Sequence, residues 1–426
     1  MILDRINGPK DLKTLNAAER KELAQEIRQA MLKRASIHGG HFGPDFGIVE
    51  ATIALHTVFD SPKDKIVWDV SHQVYPHKIL TGRKQAYLEE EHYDDVSGYS
   101  NPAESEHDFF EVGHTSTSIS LASGLAMARD LRGGHENIIA VIGDGSMSGG
   151  EALEGLDTVG EMGTNMIIVL NDNQMSIAEV HGGMYKGFEE LRRTGGKSEH
   201  NLFRAMGLDY RFVADGNDSE ALIKTFREVK DIDHPVVVHI VTQKGKGYKF
   251  AEENKESWHW HMPFDIETGE VKQPYVDEAA ELTASYLLDR LKTDKKLAIL
   301  TAATPASFGF TPERRKQAGK QFIDVGIAEE QAVAMASGLA KGGARPVFGD
   351  YATFFQRTYD QISQDVCINN NPAVFLVFGA SIYSMNDVTH LCIFDIPMMA
   401  NIPNLVYLAP TTKEEYLSML DWSVEQ

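Results

Sequence analysis

The sequence predicts an α/β protein built as two doubly wound, parallel-sheet domains in tandem. Three observations predict it. At 426 residues the chain is too long for one hydrophobic core. Two apolar runs rich in β-branched residues, Ile138–Ile142 and Met166–Leu170, flank a helical stretch from Gly150 to about Met162. A strand–helix–strand unit of this kind has parallel strands that end on the same edge of the sheet. After a polar segment, a second set of apolar runs alternates with helical ones over the remainder of the chain.

Composition narrows the function. The net charge of −21 argues against nucleic acid and anionic membranes as partners, because both require a basic face. No apolar run reaches the length of a membrane span, and the first residues lack the apolar core of a signal peptide, so the expected location is the cytoplasm. Cys367 and Cys392 are the only cysteines and form no C-x-x-C, which points away from a disulfide framework or structural zinc.

Taken in order, Asn16 and Glu19 stand at capping-box spacing before a helix carrying Leu23, Ile27 and Met31. Gly39, Gly40, Gly43 and Pro44 mark a loop around His41, and Val49 to Leu55 reads as a buried element. A strand ends at Asp69, with His72 and His77 just beyond it, and a loop from Phe109 carries His114. His41, His72 and His114 thus lie on separate loops, an arrangement suited to proton transfer near neutral pH. Asp144 closes one strand of the opening unit and Asn173 follows the next, so both oxygen-bearing side chains face the crevice at the carboxyl edge. Such a pair suits a hard cation such as Mg²⁺. Gly143 and Gly145 let a diphosphate approach the backbone, and the helix from Gly150 offers it N–H groups.

Residues 182–197 are rich in Gly and charge and read as a loop, either surface or lid. Pro235 to Thr242 is a buried strand followed by Lys244. Trp258 to His261 reads WHWH, without the further ligand pair that zinc needs. Residues 265–280 read as a linker between domains 1–264 and 281–426. In the second domain, strands are expected at Lys296–Thr301, within Gln321–Glu330, and at Arg345–Gly349, Ala373–Phe378 and Asn404–Leu408. Helices are expected at Gln331–Lys341 and Thr353–Ile368.

The stretches GGHFGPDFGIVEATIALH, WDVSHQVYPHKILTGR, VGHTSTSIS, GDGSMSGGEALEG and LNDNQMSI, in this order and spacing, resemble the 1-deoxy-D-xylulose-5-phosphate synthase family of the transketolase superfamily. The resemblance implies two domains of the thiamine-diphosphate-binding type, the first for the diphosphate and the second for the aminopyrimidine. It implies decarboxylation of pyruvate and ligation to an aldehyde such as glyceraldehyde 3-phosphate, by a homodimer. Transketolase-like ketol transfer and a non-catalytic or partner-dependent cofactor-binding protein are the alternatives. By the same resemblance Asp144, Asn173 and the Met175 carbonyl hold Mg²⁺. His72, Gly113, His114, Gly143, Gly145, Ser146, Lys244 and Phe354 contact the cofactor. Glu329, in GIAEEQAV, is the acid that activates it, and His41, His114, His259 and His390 share the proton transfers. Tyr351, Arg357 and His390 face the substrate.

There are departures from the family's pattern. Gly379 replaces an arginine that binds the acceptor phosphate, Asn386 replaces an aspartate, and Gln331 replaces a histidine two residues after the glutamate. The chain also stops about where the second domain would lack its last strand and a third domain would begin, which suggests a fragment or a remainder on another chain.

Overall fold

A computed structural model describes residues 1–380 and 389–426, in two compact units, Met1–Pro274 and Tyr275–Gln426. Among the described residues no helix is long and apolar enough to cross a membrane. The boundary falls within the stretch read as a linker. Its opening residues turn back on the first unit, where Asp265 N–H donates to the Glu270 carbonyl at 2.9 Å and Lys272 N–H to that of Pro263 at 2.9 Å.

The first unit is built on five parallel strands: β1 (Lys65–Trp68), β2 (Ile138–Gly143), β3 (Met166–Asp172), β4 (Asp209–Val213) and β5 (Pro235–Val241). Their spatial order is β1-β2-β3-β5-β4. Both faces of the sheet are covered, which explains why its central strands read as continuous apolar runs. Successive side chains point to opposite faces. Ile139, Val141, Ile167, Val169, Val236 and Val238 accordingly pack on one side with Ala51, Leu55, Leu222 and Phe226. Ile138, Ala140, Ile142, Ile168 and Leu170 pack on the other with Ala122, Leu156 and Val159. Helix α1 (Ala17–His38) packs in a separate cluster with Phe42, Phe46 and Ile53, while the helices supplying these layers include α2 (Val49–Val58), α3 (Ser118–Leu131), α4 (Gly150–Met162), α5 (Gly183–Arg193) and α6 (Ser219–Val229). The capping box at α1 is present, with the Asn16 side chain accepting from Glu19 N–H and Glu19 reaching back. Each fully buried Ile or Leu in these layers contributes about 1.5–3 kcal/mol.

Helix α5 corrects the reading of residues 182–197 as a loop or lid. Tyr185, Phe188 and Leu191 fall at three-residue intervals on one buried face, and that apolar stripe outweighs the glycines around it.

The second unit has four parallel strands among the described residues: β6 (Leu297–Thr301), β7 (Phe322–Asp324), β8 (Arg345–Tyr351) and β9 (Val374–Phe378), in the order β9-β8-β6-β7. Helices α7 (Glu278–Thr293), α8 (Glu329–Lys341) and α9 (Lys413–Val424) accompany them. Two expectations fail here. Residues 404–408 pair with no described strand, and Val406 is 65% and Leu408 40% exposed, so the apolar run has no neighbour to complete a ladder. The helix expected over Thr353–Ile368 is broken into an α turn, a 3₁₀ turn, a second α turn and a π turn ending at Cys367.

Candidate active site

Each sheet gathers polar side chains at its carboxyl edge. In the first unit the β2–β3 register pairs Gly143 with Asn171, bringing the ends of the two strands side by side. Asp144 follows directly, its N–H donating to the Asn171 carbonyl at 3.1 Å. The Asn173 N–H approaches Asp144 Oδ1 at 3.4 Å, and Asn173 Oδ1 accepts from Met175 N–H at 3.1 Å. Between them Gln174 is held at φ +64°, a left-handed conformation uncommon outside glycine, by its N–H donating to Asp172 Oδ1 at 3.2 Å. Asp144 is buried, and its Oδ2 has no hydrogen-bond partner among the described residues. Burial, reinforced by the Asp172 charge, pushes its carboxyl well above the usual range. Asp172 goes the other way: burial alone would raise it, but a 2.9 Å bond with His239 Nε2 and an ion pair with Arg192 hold it low.

A carboxylate with an unsatisfied buried oxygen, an amide oxygen and a carbonyl at neighbouring strand ends form a hard-oxygen donor set that fits Mg²⁺. Open space lies where a Cβ on Gly143 would stand, which fits close approach of a diphosphate. A 3₁₀ turn, Gly145–Ser148, intervenes between β2 and α4, so Gly145 and Ser146 lie on that turn and not on the helix itself.

Asp69, at the end of β1, accepts from the N–H groups of Ser116 at 2.8 Å and Ser118 at 2.9 Å. This anchors the loop carrying Gly113 and His114, with Ser116 at φ +74°. Val70 and Ser71, at φ +49° and +57°, turn the chain sharply toward His72.

His41 and His259 meet because a short antiparallel ladder pairs Gly40 with His261 and His41 with Trp260. Gly39 and Gly40 have φ of +76° and +122°, and a Cβ on Gly39 would stand 2.9 Å from the His261 carbonyl oxygen. Ring centroids lie 4.6 Å apart for His41–His72, 4.9 Å for His72–His259 and 5.6 Å for His41–His259. His259 Nδ1 is buried without a partner among the described residues. Burial, with Lys244 and the other two rings adding to it, keeps His259 well below the usual histidine range. Lys244 is itself buried, its Nζ donating to the Ser176 carbonyl at 2.6 Å, and burial lowers it to about 7. His261 stacks on Trp258 at 3.9 Å, and His77 is buried between His56 and Asp108, so both are structural.

In the second unit Glu329 opens α8 and is buried. Burial pushes it up to about 7, against the pull of Arg357, whose Nη1 stands 3.8 Å from Glu329 Oε2. Phe354 links Tyr351 and His390, with ring centroids at 6.2 and 5.6 Å. His390 Nδ1 pairs with Thr389 Oγ1 at 2.9 Å. Gly379 has φ +69°, Gln331 is exposed on α8, and Asn386 lies outside the described residues. The sequence reading missed Asp350, at the carboxyl end of β8. Its Oδ1 accepts from Thr304 Oγ1 at 2.7 Å, while its buried Oδ2 has no partner among the described residues. Burial, and then the Glu329 charge, raise it well above the usual range. An acid closing an apolar strand, the signal that found Asp144, was present in VFGDY.

Residues 3–198 and 194–242 match the family model described as 1-deoxy-D-xylulose-5-phosphate synthase, and residues 280–426 the transketolase pyrimidine binding domain. Fold and site thus define a thiamine-diphosphate-type transferase of the transketolase class. The chain is 40% identical over 463 residues to 1-deoxy-D-xylulose-5-phosphate synthase 1 of Geobacter metallireducens, covering all of this chain and 74% of that protein. It is also 40% identical over 460 residues to the synthase of Clostridium acetobutylicum, again covering all of this chain and 74% of the relative. The chain belongs to the 1-deoxy-D-xylulose-5-phosphate synthase family. A transketolase structure from Campylobacter jejuni superposes at a TM-score of 0.48 with 15% identity, over 96% of this chain and 77% of that one, too loosely to carry argument.

Proposed function

We propose that the chain catalyses thiamine-diphosphate-dependent decarboxylation of pyruvate and ligation of the two-carbon unit to an aldehyde, the synthesis of 1-deoxy-D-xylulose 5-phosphate. The reading rests on 40% identity to the synthases along the whole chain. Thiamine diphosphate, when bound, would supply a nucleophilic carbon and an electron sink for decarboxylation.

The protein's part is to bind, orient and move protons. Asp144, Asn173 and the Met175 carbonyl hold Mg²⁺, and the partnerless Asp144 oxygen supports this. Gly113, His114, Gly143, Gly145, Ser146, His72 and Lys244 receive the diphosphate. Glu329 exchanges a proton with the aminopyrimidine. With its acidity near neutrality, both its forms are accessible at physiological pH. His259, kept neutral by burial, offers an unprotonated ring nitrogen beside His41 and His72. Phe354 packs against the cofactor, while Tyr351, Arg357 and His390 face pyruvate and the acceptor. Gly379 offers no side chain to a phosphate, which favours an acceptor held less tightly than in the family's pattern. A homodimeric assembly and a cytoplasmic location belong to the same proposal.

Release of labelled CO₂ from pyruvate, with and without aldehydes, tests the reading. The expected result is release that needs thiamine diphosphate and Mg²⁺ and rises with an aldehyde. Ketol transfer from a sugar phosphate with no CO₂ from pyruvate would overturn it in favour of transketolase-like chemistry.

A further inference from the structure

Helix α5 touches both loops that carry the cation donors. From its first turn, Tyr185 Oη lies 3.0 Å from the Asp144 carbonyl and 3.3 Å from that of Gly145. From its last turn, Arg192 pairs with the carboxylate of Asp172, the residue before Asn173. That carboxylate also accepts from Gln174 N–H and bonds to His239, whose Nδ1 pairs with Tyr210 Oη at 2.8 Å. Between these contacts Phe188 and Leu191 are buried and fix the helix to the core. A cleft of about 770 Å³ runs along the helix, lined by Gln174, Val180, His181, Tyr185, Lys186 and Arg192 among others. Beside it the helix reaches the loops through these polar contacts and through the apolar cluster that Tyr185, Phe188 and Leu191 share with Met147.

We propose that α5 is a clamp that sets the spacing of the two metal loops, with Tyr185 and Arg192 as positioning residues that govern cation affinity and selectivity without touching the cation. The inference rests on the assignment of Asp144, Asn173 and Met175 as the donor set. Groups that orient metal ligands from behind are typically worth 10- to 100-fold in affinity. Selectivity follows from coordination chemistry: Mg²⁺ demands near-ideal octahedral geometry at short distances, whereas Ca²⁺ tolerates longer, irregular shells. Loosening the spacing therefore penalises Mg²⁺ more than Ca²⁺.

The test titrates Mg²⁺ and Ca²⁺ into the full chain with thiamine diphosphate present, reading the rise in melting temperature. Tyr185→Phe keeps the ring, which meets Phe188 edge-on at 5.8 Å, and removes only the hydroxyl. Arg192→Gln is the second variant, and Arg192→Lys the conservative one expected to restore part of the effect. The expected result is a melting temperature without cation close to wild type for Tyr185→Phe and lower for Arg192→Gln, which leaves the buried Asp172 carboxylate one cation short. In both, measured from each variant's own baseline, Mg²⁺ affinity is lowered about tenfold and the Mg²⁺-to-Ca²⁺ affinity ratio falls. Equal weakening of both cations, or none, in both variants would overturn the clamp. Asp144→Ala separates the two layers of the argument. If it leaves Mg²⁺ binding intact, the donor assignment fails. If it abolishes binding while Tyr185→Phe and Arg192→Gln change nothing, only the clamp fails.

Discussion

The carboxyl edges of the two sheets share a parallel architecture and differ in how their buried acids are partnered. Around Asp144 most polar groups have partners: the Asp172 carboxylate has three, Asn173 is tied to Met175, and Asp69 carries a loop on two backbone bonds. The paired groups build a frame around the partnerless Asp144 Oδ2. Around Glu329 and Asp350, acids are left dry with few bonds, and burial governs their protonation. At both edges burial raises an acid that has a partnerless oxygen. The first edge frames Asp144 with the paired, low-lying Asp172, whereas the second raises two acids, Glu329 and Asp350.

The largest break in this contrast is expected from Glu329→Gln, which keeps shape and removes the titration. CO₂ release from pyruvate should fall about 10²- to 10⁴-fold, with thiamine diphosphate affinity within about tenfold, or about 1.4 kcal/mol. Steady-state assay and cofactor titration decide it, and an undiminished rate clears Glu329 of the role.

The same variant probes dryness through stability. The folded-state value of about 7 exceeds the ordinary 4.5, so between these pH values the folded chain holds a proton that the unfolded chain has released. Stability should therefore be fully present below about pH 4.5 and decline by up to about 3 kcal/mol as pH rises to about 7. Denaturant unfolding at several pH values should show that decline flattened in Glu329→Gln. Identical profiles would mean that Glu329 is solvated.

A smaller effect is expected from Gly379→Arg. A charge-assisted bond to a phosphate contributes about 1.5–3 kcal/mol, but φ +69° costs a side chain about 1–2 kcal/mol. The apparent affinity for glyceraldehyde 3-phosphate should thus improve by no more than about thirtyfold, with that for pyruvate unchanged. A micromolar acceptor constant in the unaltered protein would show that another residue holds the phosphate.

Smallest of all should be Asp350→Asn. If Asp350 is already neutral, the exchange preserves its charge and the bond from Thr304, and should cost roughly 1 kcal/mol or less. A collapse in stability would mean that Asp350 is ionised and that the second edge is wetter than its burial indicates.

How much of this was legible in the sequence depended on range. The central strands were visible because both faces of each sheet are covered and the runs are β-branched. The meeting of Asp144 and Asn173 was visible because each follows the end of an adjacent parallel strand. The Gly40–His41 ladder that brings His259 to His41 joins segments more than 200 residues apart and leaves no local mark. Helix α5 was hidden by Gly182, Gly183 and Gly187, although Tyr185, Phe188 and Leu191 kept helical spacing. Residues 404–408 misled in the opposite sense, since an apolar run becomes a strand only when a neighbour accepts its hydrogen bonds.

The left-handed residues beside the first edge have a consequence for breeding tougher variants. Val70, Ser71, Ser116 and Gln174 each keep a backbone shape that glycine adopts with less strain. Exchange to glycine would relax them, and a screen for heat tolerance alone could reward such changes at Gln174, where little packing is lost. What it would discard is the stiffness that keeps Asn173 and Met175 in register before any ligand arrives. Robustness and readiness compete at these four positions, so a lineage kept for both should resist glycine there even when offered it.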